Sequence, residues 1–432
     1  MEEARLEARF EWLQNALLRS GVGFNPKIQR IAHRLVADDG MRYDKYFSPK
    51  LISLGPIHYG VPKLRLGEEF KEMWASMFLD STDQVPQLLY KKIAENVEDL
   101  KLLFEPDLFT DDRLMQAYGL KDFKKIDESI SWMLFVDGCA LLQILQHGEL
   151  ETPEKVNVKF EELILVFHDV LLLENQLPYP LLKLLWKETE DELMSMMKNF
   201  KGYHWSTTER EQEIQFVPTH LLDLHRSVFL YDSSLKDTCY YNVKEDSMKT
   251  FRNIMELKAA GIELKSSKRA WPSDISFSLG RFRSELTLPE IILDDASVIF
   301  LLNTIAYEMC PDFGNDYGVS DYISFLNSLI DSPDDVKALR SARILLNTPG
   351  SNQDVFNIFT TISSSVVPSL WKYDHVMNEI EKHYTHKSLP TWVSLAYSTY
   401  FSNPWAIIAF FAAFFGLALT FIQTWYTVYP PK

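Results

Sequence analysis

Apolar residues recur along this chain mainly at intervals of three and four, so the pattern predicts a mainly α-helical protein. Leu6, Phe10, Leu13 and Leu17 form one stripe that Gly21 stops, which predicts an N-terminal amphipathic helix within residues 1–27. Packing on the core is the expected use of that stripe; the alternative is docking on a partner or membrane. Glu2, Glu3, Glu7 and Glu11 speak against an anionic bilayer. Residues 85–104, 123–147 and 160–187 carry further helical patterns. At Ser332-Pro333-Asp334-Asp335 a helix start is written out: Ser as N-cap, Pro in the first turn, acids facing the dipole.

One region departs from this rule. In Asp274-Ile275-Ser276-Phe277-Ser278-Leu279-Gly280 apolar and polar residues alternate, and Leu286 and Leu288 resume the alternation. With Gly261-Ile262-Glu263-Leu264 this predicts a small sheet of two or three strands. The segments 202–217 and 231–250 are polar and aperiodic and read as surface loops. They divide residues 28–400 into two lobes or lie across one shared core.

The longest apolar run closes the chain. Trp405 to Val428 holds no charged side chain. At about 1.5 Å per residue a helix of this length reaches roughly 36 Å, enough for a hydrocarbon core about 30 Å thick. Trp405 and Trp425 mark its ends, and Phe410, Phe411, Phe414, Phe415, Leu417, Leu419 and Phe421 supply its apolar surface. The pattern therefore predicts a transmembrane anchor over 401–428, followed by a short tail at 429–432. A buried core helix is the competing reading.

Composition sharpens the topology. MEEARLEARFEWLQ is not a secretory signal, three cysteines cannot all pair, and no Asn-x-Ser/Thr sequon occurs. Lys372, Lys382 and Lys387 precede the apolar run and only Lys432 follows it. The expected arrangement is a tail-anchored, single-pass protein with its N-terminal bulk in the cytosol, the bias being small enough to leave the reverse open. Plasma membrane and endomembrane are not distinguished. A net charge of -16, from 60 acidic against 44 basic residues, repels phosphate backbones, so no nucleic acid is expected as partner. A protein partner is expected, and a homo-oligomer stays open.

Three stretches carry polar chemistry inside apolar surroundings. They are Tyr46 to Gly60 (YFSPKLISLGPIHYG), Phe135-Val136-Asp137-Gly138-Cys139, and Phe167 to Pro178 (FHDVLLLENQLP). On a helix His168 and Asn175 would share a face, as would Asp169 and Gln176. His168 and Asp169 with Glu174 are the best acid–base candidates, and His58 near Ser53 comes second. No Gly-x-Ser-x-Gly elbow, Walker loop or Gly-x-Gly-x-x-Gly is present, and the spacings His220/His225 and His383/His386 lack the cysteine pair of a zinc site. No metal or cofactor is expected. The favoured reading is a structural polar network of Asp137, Glu174, Asn175 and Gln176, their partners supplied by neighbouring backbone.

These stretches also carry a resemblance. YFSPKLISLGPIHYG, Glu68-Glu69-Phe70-Lys71, MLFVDGC, DVLLLENQLPYPLL, HLLDLHR, MELKAAGIELK, LDDASVIFLLNTIAYEMC and the closing YFSNPWAIIAFFAAFFGLALTFIQTWYTV follow one another in order over about residues 28–428. Together they resemble the plant family known as domain of unknown function 247. The usual histidine doublet is reduced here to His58 between Ile57 and Tyr59, and the usual Glu-Glu-His-Lys reads Glu68-Glu69-Phe70-Lys71. That departure weakens any metal or catalytic role at His58. The resemblance implies a mainly helical protein with a C-terminal anchor and no established activity, in a family whose members include candidate pollen-side determinants of grass self-incompatibility. The expected function is non-enzymatic recognition or signalling at a membrane, with self-incompatibility as one form of it. The alternative is a membrane-anchored hydrolase or transferase using His168, Asp169 and Glu174. Partner contacts are expected on the two loops, through Tyr203, Trp205, Tyr240 and Tyr241.

Overall fold

The computed structural model describes residues 26–35, 40–109, 126–200, 216–230, 252–280, 284–314, 316–346, 350–364, 366, 371–386 and 404–428, together with Leu6, Arg9, Phe10 and Leu13. Helices dominate it. In order they are α1 (Gly40–Tyr46), α2 (Arg65–Thr82), α3 (Pro86–Glu95), α4 (Val97–Lys101), α5 (Ile126–His147), α6 (Phe160–Val170), α7 (Tyr179–Leu185), α8 (Glu190–Lys198), α9 (Leu221–Leu230) and α10 (Ile254–Ala259). After a strand region come α11 (Asp295–Glu308), α12 (Gly318–Leu329), α13 (Pro333–Ser341), α14 (Asn352–Ser363), α15 (Asp374–His386) and α16 (Pro404–Val428). The buried apolar residues form a single cluster running from Ile28 to Ile380.

The strand region matches its alternation. β1 (Ile262–Ser266), β2 (Ser276–Ser278) and β3 (Ser284–Leu288) form a sheet in the order β1-β3-β2, with β1 parallel and β2 antiparallel to β3. Leu286 and Leu288 point inward and are fully buried, as a period of two requires of a half-buried strand. Two short parallel strands, β4 (Ile291–Ile292) and β5 (Leu345–Leu346), make a second pairing. The helix start at Ser332 is a capping box: Ser332 and Asp335 satisfy each other at the first turn of α13, and Asp335 also accepts the Met255 N–H at 3.0 Å.

Three expectations need correction. The pattern over 85–104 is two helices broken at Asn96, which ends α3 before α4 begins. The pattern over 160–187 is α6, a short 3-10 turn at Leu173–Asn175, and α7, so His168/Asn175 and Asp169/Gln176 do not share a helical face. The cause is local. The Asn175 amide donates to Asp169 O at 2.9 Å, and the Gln176 amide to Val170 O and Leu172 O at 2.8 Å. These side chains satisfy carbonyls at the end of α6 that continued helix would have occupied. Finally, Leu6, Phe10 and Leu13 are each more than half exposed rather than packed on the core; Leu17 lies outside the described residues.

Two glycines set the approach of elements to the site. A Cβ on Gly67 would stand 1.9 Å from Leu51 O, so only glycine lets α2 lie against the loop that follows α1. One on Gly138 would stand 2.4 Å from Leu185 Cδ1, where α5 crosses α7. The closing helix α16 is different: Phe410, Phe411, Phe414, Phe415, Leu417, Leu419, Phe421 and Trp425 are all more than half exposed.

A buried polar network as the candidate functional site

The loop Ser48–Gly60 between α1 and α2 has little regular structure, so its backbone donors need partners from elsewhere. Three buried side chains supply them. Asp169, one residue before the end of α6, accepts the N–H groups of Lys50 at 2.8 Å, Leu51 at 2.7 Å and Ile52 at 2.9 Å. Asn175 takes Leu54 N–H at 2.6 Å and donates to Ile52 O at 3.2 Å. Asp137, mid-way along α5, accepts Gly55 N–H at 2.8 Å. Gly55 has φ of 71°, a conformation that glycine adopts without steric cost.

The other oxygen of Asp137 meets Lys71 of α2 at 2.6 Å, an ion pair in which both side chains are fully buried. The Lys71 ammonium also donates to Ser53 O at 2.7 Å and reaches Glu68 at 2.9 Å, so its three protons are used. Burial pushes the Asp137 carboxyl up to about 6 against the pull of Lys71, while Asp137 and Glu68 outweigh burial at Lys71 and hold it above the ordinary lysine range. Asp169 is likewise raised to about 6 by burial, opposed by its three backbone donors.

Glu174 forms the second half of the network. It accepts Ile31 N–H at 2.8 Å and the Tyr43 hydroxyl at 2.6 Å, and His58 Nε2 lies 3.1 Å from its second oxygen. Burial alone would raise its pKa, but His58, Tyr43 and the Ile31 N–H together hold it below the usual carboxylate range. Gln176 accepts Leu222 N–H at 3.0 Å, tying α9 to the same turn. Glu174, Asn175 and Gln176 are 4%, 0% and 2% exposed, so none of this surface is presented to solvent.

Of the acid–base candidates the structure brings His58 and Glu174 together and separates the rest. The Asp169 carboxylate is occupied by loop amides, and half-buried His168 lies toward Asp294 and Asp295 at the start of α11, its pKa lowered by burial. An open depression of about 530 Å³ is lined by Ala32–Arg34, Met309–Pro311, Phe313 and Tyr317, and holds none of the four. Among the described residues no group of three His, Cys, Asp or Glu side chains could hold a metal ion. His220 accepts Asp223 N–H, and His383 sits between Ser284 Oγ and Ala260 O at 3.1 Å each. Tyr203, Trp205, Tyr240 and Tyr241 lie outside the described residues.

Sequence reasoning missed Tyr43, Lys71 and a second buried ion pair. Lys71 was visible only as the last residue of Glu68-Glu69-Phe70-Lys71, and its burial shows once Asp137 is seen to need a counterion. Arg226 of α9 and Glu308 of α11 form a second buried pair at 2.8 Å, and Glu308 also accepts the N–H groups of Val319 and Ser320. The available signal was an acid ending an otherwise apolar helix, Thr304-Ile305-Ala306-Tyr307-Glu308.

Residues 28–419, which include every side chain of this network, match the model of a family described as plant protein of unknown function, the domain of unknown function 247. The chain belongs to this family. It is 27% identical over 416 residues to UPF0481 protein At3g47200 of Arabidopsis thaliana, covering 88% of this chain and 82% of that one. A second UPF0481 protein of the same plant, At3g02645, is 26% identical over 184 residues, 42% of this chain and 34% of that one. No solved structure matches the chain.

Proposed function

We propose that this family member is a non-enzymatic, membrane-anchored interaction protein of recognition or signalling type. The supporting observation is α16: 25 residues without a charged side chain, of which Ile408–Trp425 has no buried residue and adds nothing to the apolar core. As a single-pass anchor it would hold the folded body at a membrane surface. The excess of lysines ahead of it favours the body on the cytosolic side. The interaction reading draws support from the network, whose acids and amides are engaged by backbone and so act as scaffold. Partner choice is assigned to the segments 202–217 and 231–250, with Tyr203, Trp205, Tyr240 and Tyr241 as anchors. Recognition in plant reproduction, the role that the family resemblance suggests, is one form this could take.

Deleting residues 401–432 tests the reading. The shortened protein should leave the membrane fraction after a carbonate wash and keep the far-UV and near-UV spectra of a folded chain. A shortened protein that stays in the pellet would contradict the single-anchor proposal.

A further inference from the structure

Between Lys27 and Arg65 the chain carries eight basic and three acidic side chains, a net of +5, in a protein whose overall charge is -16. Several basic side chains elsewhere meet acids: Lys71 with Asp137, Lys101 with Asp127, Lys155 with Glu149, Lys183 with Glu190, Arg226 with Glu308. Lys45, Lys50, Lys63 and Arg65 are exposed and form no ion pair with a described residue. Three of them converge. The Lys50 ammonium donates to Asp44 O, the residue beside Lys45, and the Lys63 ammonium donates to Ser48 Oγ at 2.8 Å. All three cations thus surround the last turn of α1, whose carbonyl end favours positive charge. Asp44 and, through space, Asp295 offset part of it. Leu66, 48% exposed, follows Arg65 and adds an apolar contact.

One of these cations stands on a backbone that is held in place. Lys50 lies in the loop whose amides are held by Asp169, Asn175 and Asp137, so its backbone cannot readjust without breaking buried hydrogen bonds. We infer that the face formed by Lys45, Lys50 and Lys63 is a docking surface for an acidic, partly apolar segment of a partner protein. Attraction to an anionic bilayer needs charge but no fixed shape. Lys50 on a backbone held in place, with Lys45 and Lys63 beside it, instead suits carboxylates presented at defined spacing. The inference deepens the interaction reading above by naming a partner chemistry, and it is independent of how the protein is anchored.

The test uses the full chain in a neutral detergent and a fluorescent poly-glutamate peptide about twenty residues long as probe. Wild type should bind saturably and lose affinity as salt rises. The variant Lys45→Gln/Lys50→Gln/Lys63→Gln should bind at least tenfold more weakly, whereas Lys91→Gln/Lys155→Gln/Lys183→Gln, at exposed paired lysines, should change affinity less than twofold. Equal losses in both variants, or no saturable binding by wild type, would overturn the inference. So would displacement of the peptide by a soluble short-chain phosphatidylserine acting through the same three lysines, because the face would then be a lipid site. None of these outcomes bears on whether deletion of residues 401–432 frees the protein from membranes, so the two readings fail separately.

Discussion

Among the described residues two helices pass the same test of length and apolarity, and the fold treats them in opposite ways. α5 is 22 residues long and 78% of its most apolar stretch is buried; the corresponding stretch of α16, Ile408–Trp425, is not buried at all. The difference lies in what interrupts them. α5 carries Asp137 and Gly138 at its centre, and each presupposes a neighbour: an ammonium for the carboxylate, a crossing helix where a side chain would clash. Residues 404–428 of α16 hold no charge, and a Cβ added at Gly416 would meet nothing within 4 Å. An apolar helix with one expensive polar residue is therefore a core helix waiting for its partner, while one without any fits a surrounding that is apolar by itself.

The sharpest way to break this comparison is to remove the partner. Lys71→Met should destabilise the protein by about 3–5 kcal/mol, because it leaves the Asp137 carboxylate buried without its counterion. Urea denaturation of the chain shortened at residue 400 measures it, and a cost below about 1 kcal/mol would mean that Asp137 finds another way to be satisfied. Next in size is the contrast of apolar truncations. Leu141→Ala in α5 should cost about 2–5 kcal/mol through the cavity it leaves. Phe415→Ala in the full chain in detergent should leave the unfolding of the body unchanged. A comparable effect of both would place α16 within the folding unit.

The polar turn comes third. Asn175→Leu should cost about 1–3 kcal/mol, since Leu54 N–H, Ile52 O and Asp169 O all lose their partner. The effect smallest at any one step of a titration is pH dependence. Asp169, raised to about 6 in the folded protein from an ordinary 3.8, takes up a proton on folding between about pH 4 and 6. Its contribution is then complete below the unfolded pKa and is lost as pH rises through 6, by up to about 1.4 kcal/mol per pH unit. Relative to Asp169→Asn, wild type should thus weaken across that interval. Parallel pH profiles of the two would show that the three backbone donors cancel the effect of burial.

The helical class, the three strands and the cap at Ser332 were legible because each depends on residues close in sequence. The polar stretches were legible as places where burial and polarity conflict; that Asp137, Asp169 and Asn175 bind the backbone of the loop around Gly55 shows only in the structure. Their geometry was not. Periodicity through 160–187 concealed the turn after Val170, because Leu171, Leu172 and Leu173 continue the apolar run while amides of Asn175 and Gln176 end the helix. Lys71 and the Arg226–Glu308 pair escaped for a related reason: 66 residues separate Lys71 from Asp137, and 82 separate Arg226 from Glu308. Nothing in local pattern connects them.

α5 serves a protein core, and on the proposed anchoring α16 serves a lipid one. Photolabelling of the full chain in native membranes with an apolar carbene reagent confined to the bilayer tests it directly. Label should appear on peptides from residues 404–428 and be absent from residues 126–147. Label on the α5 peptides, or none on those of α16, would contradict the account.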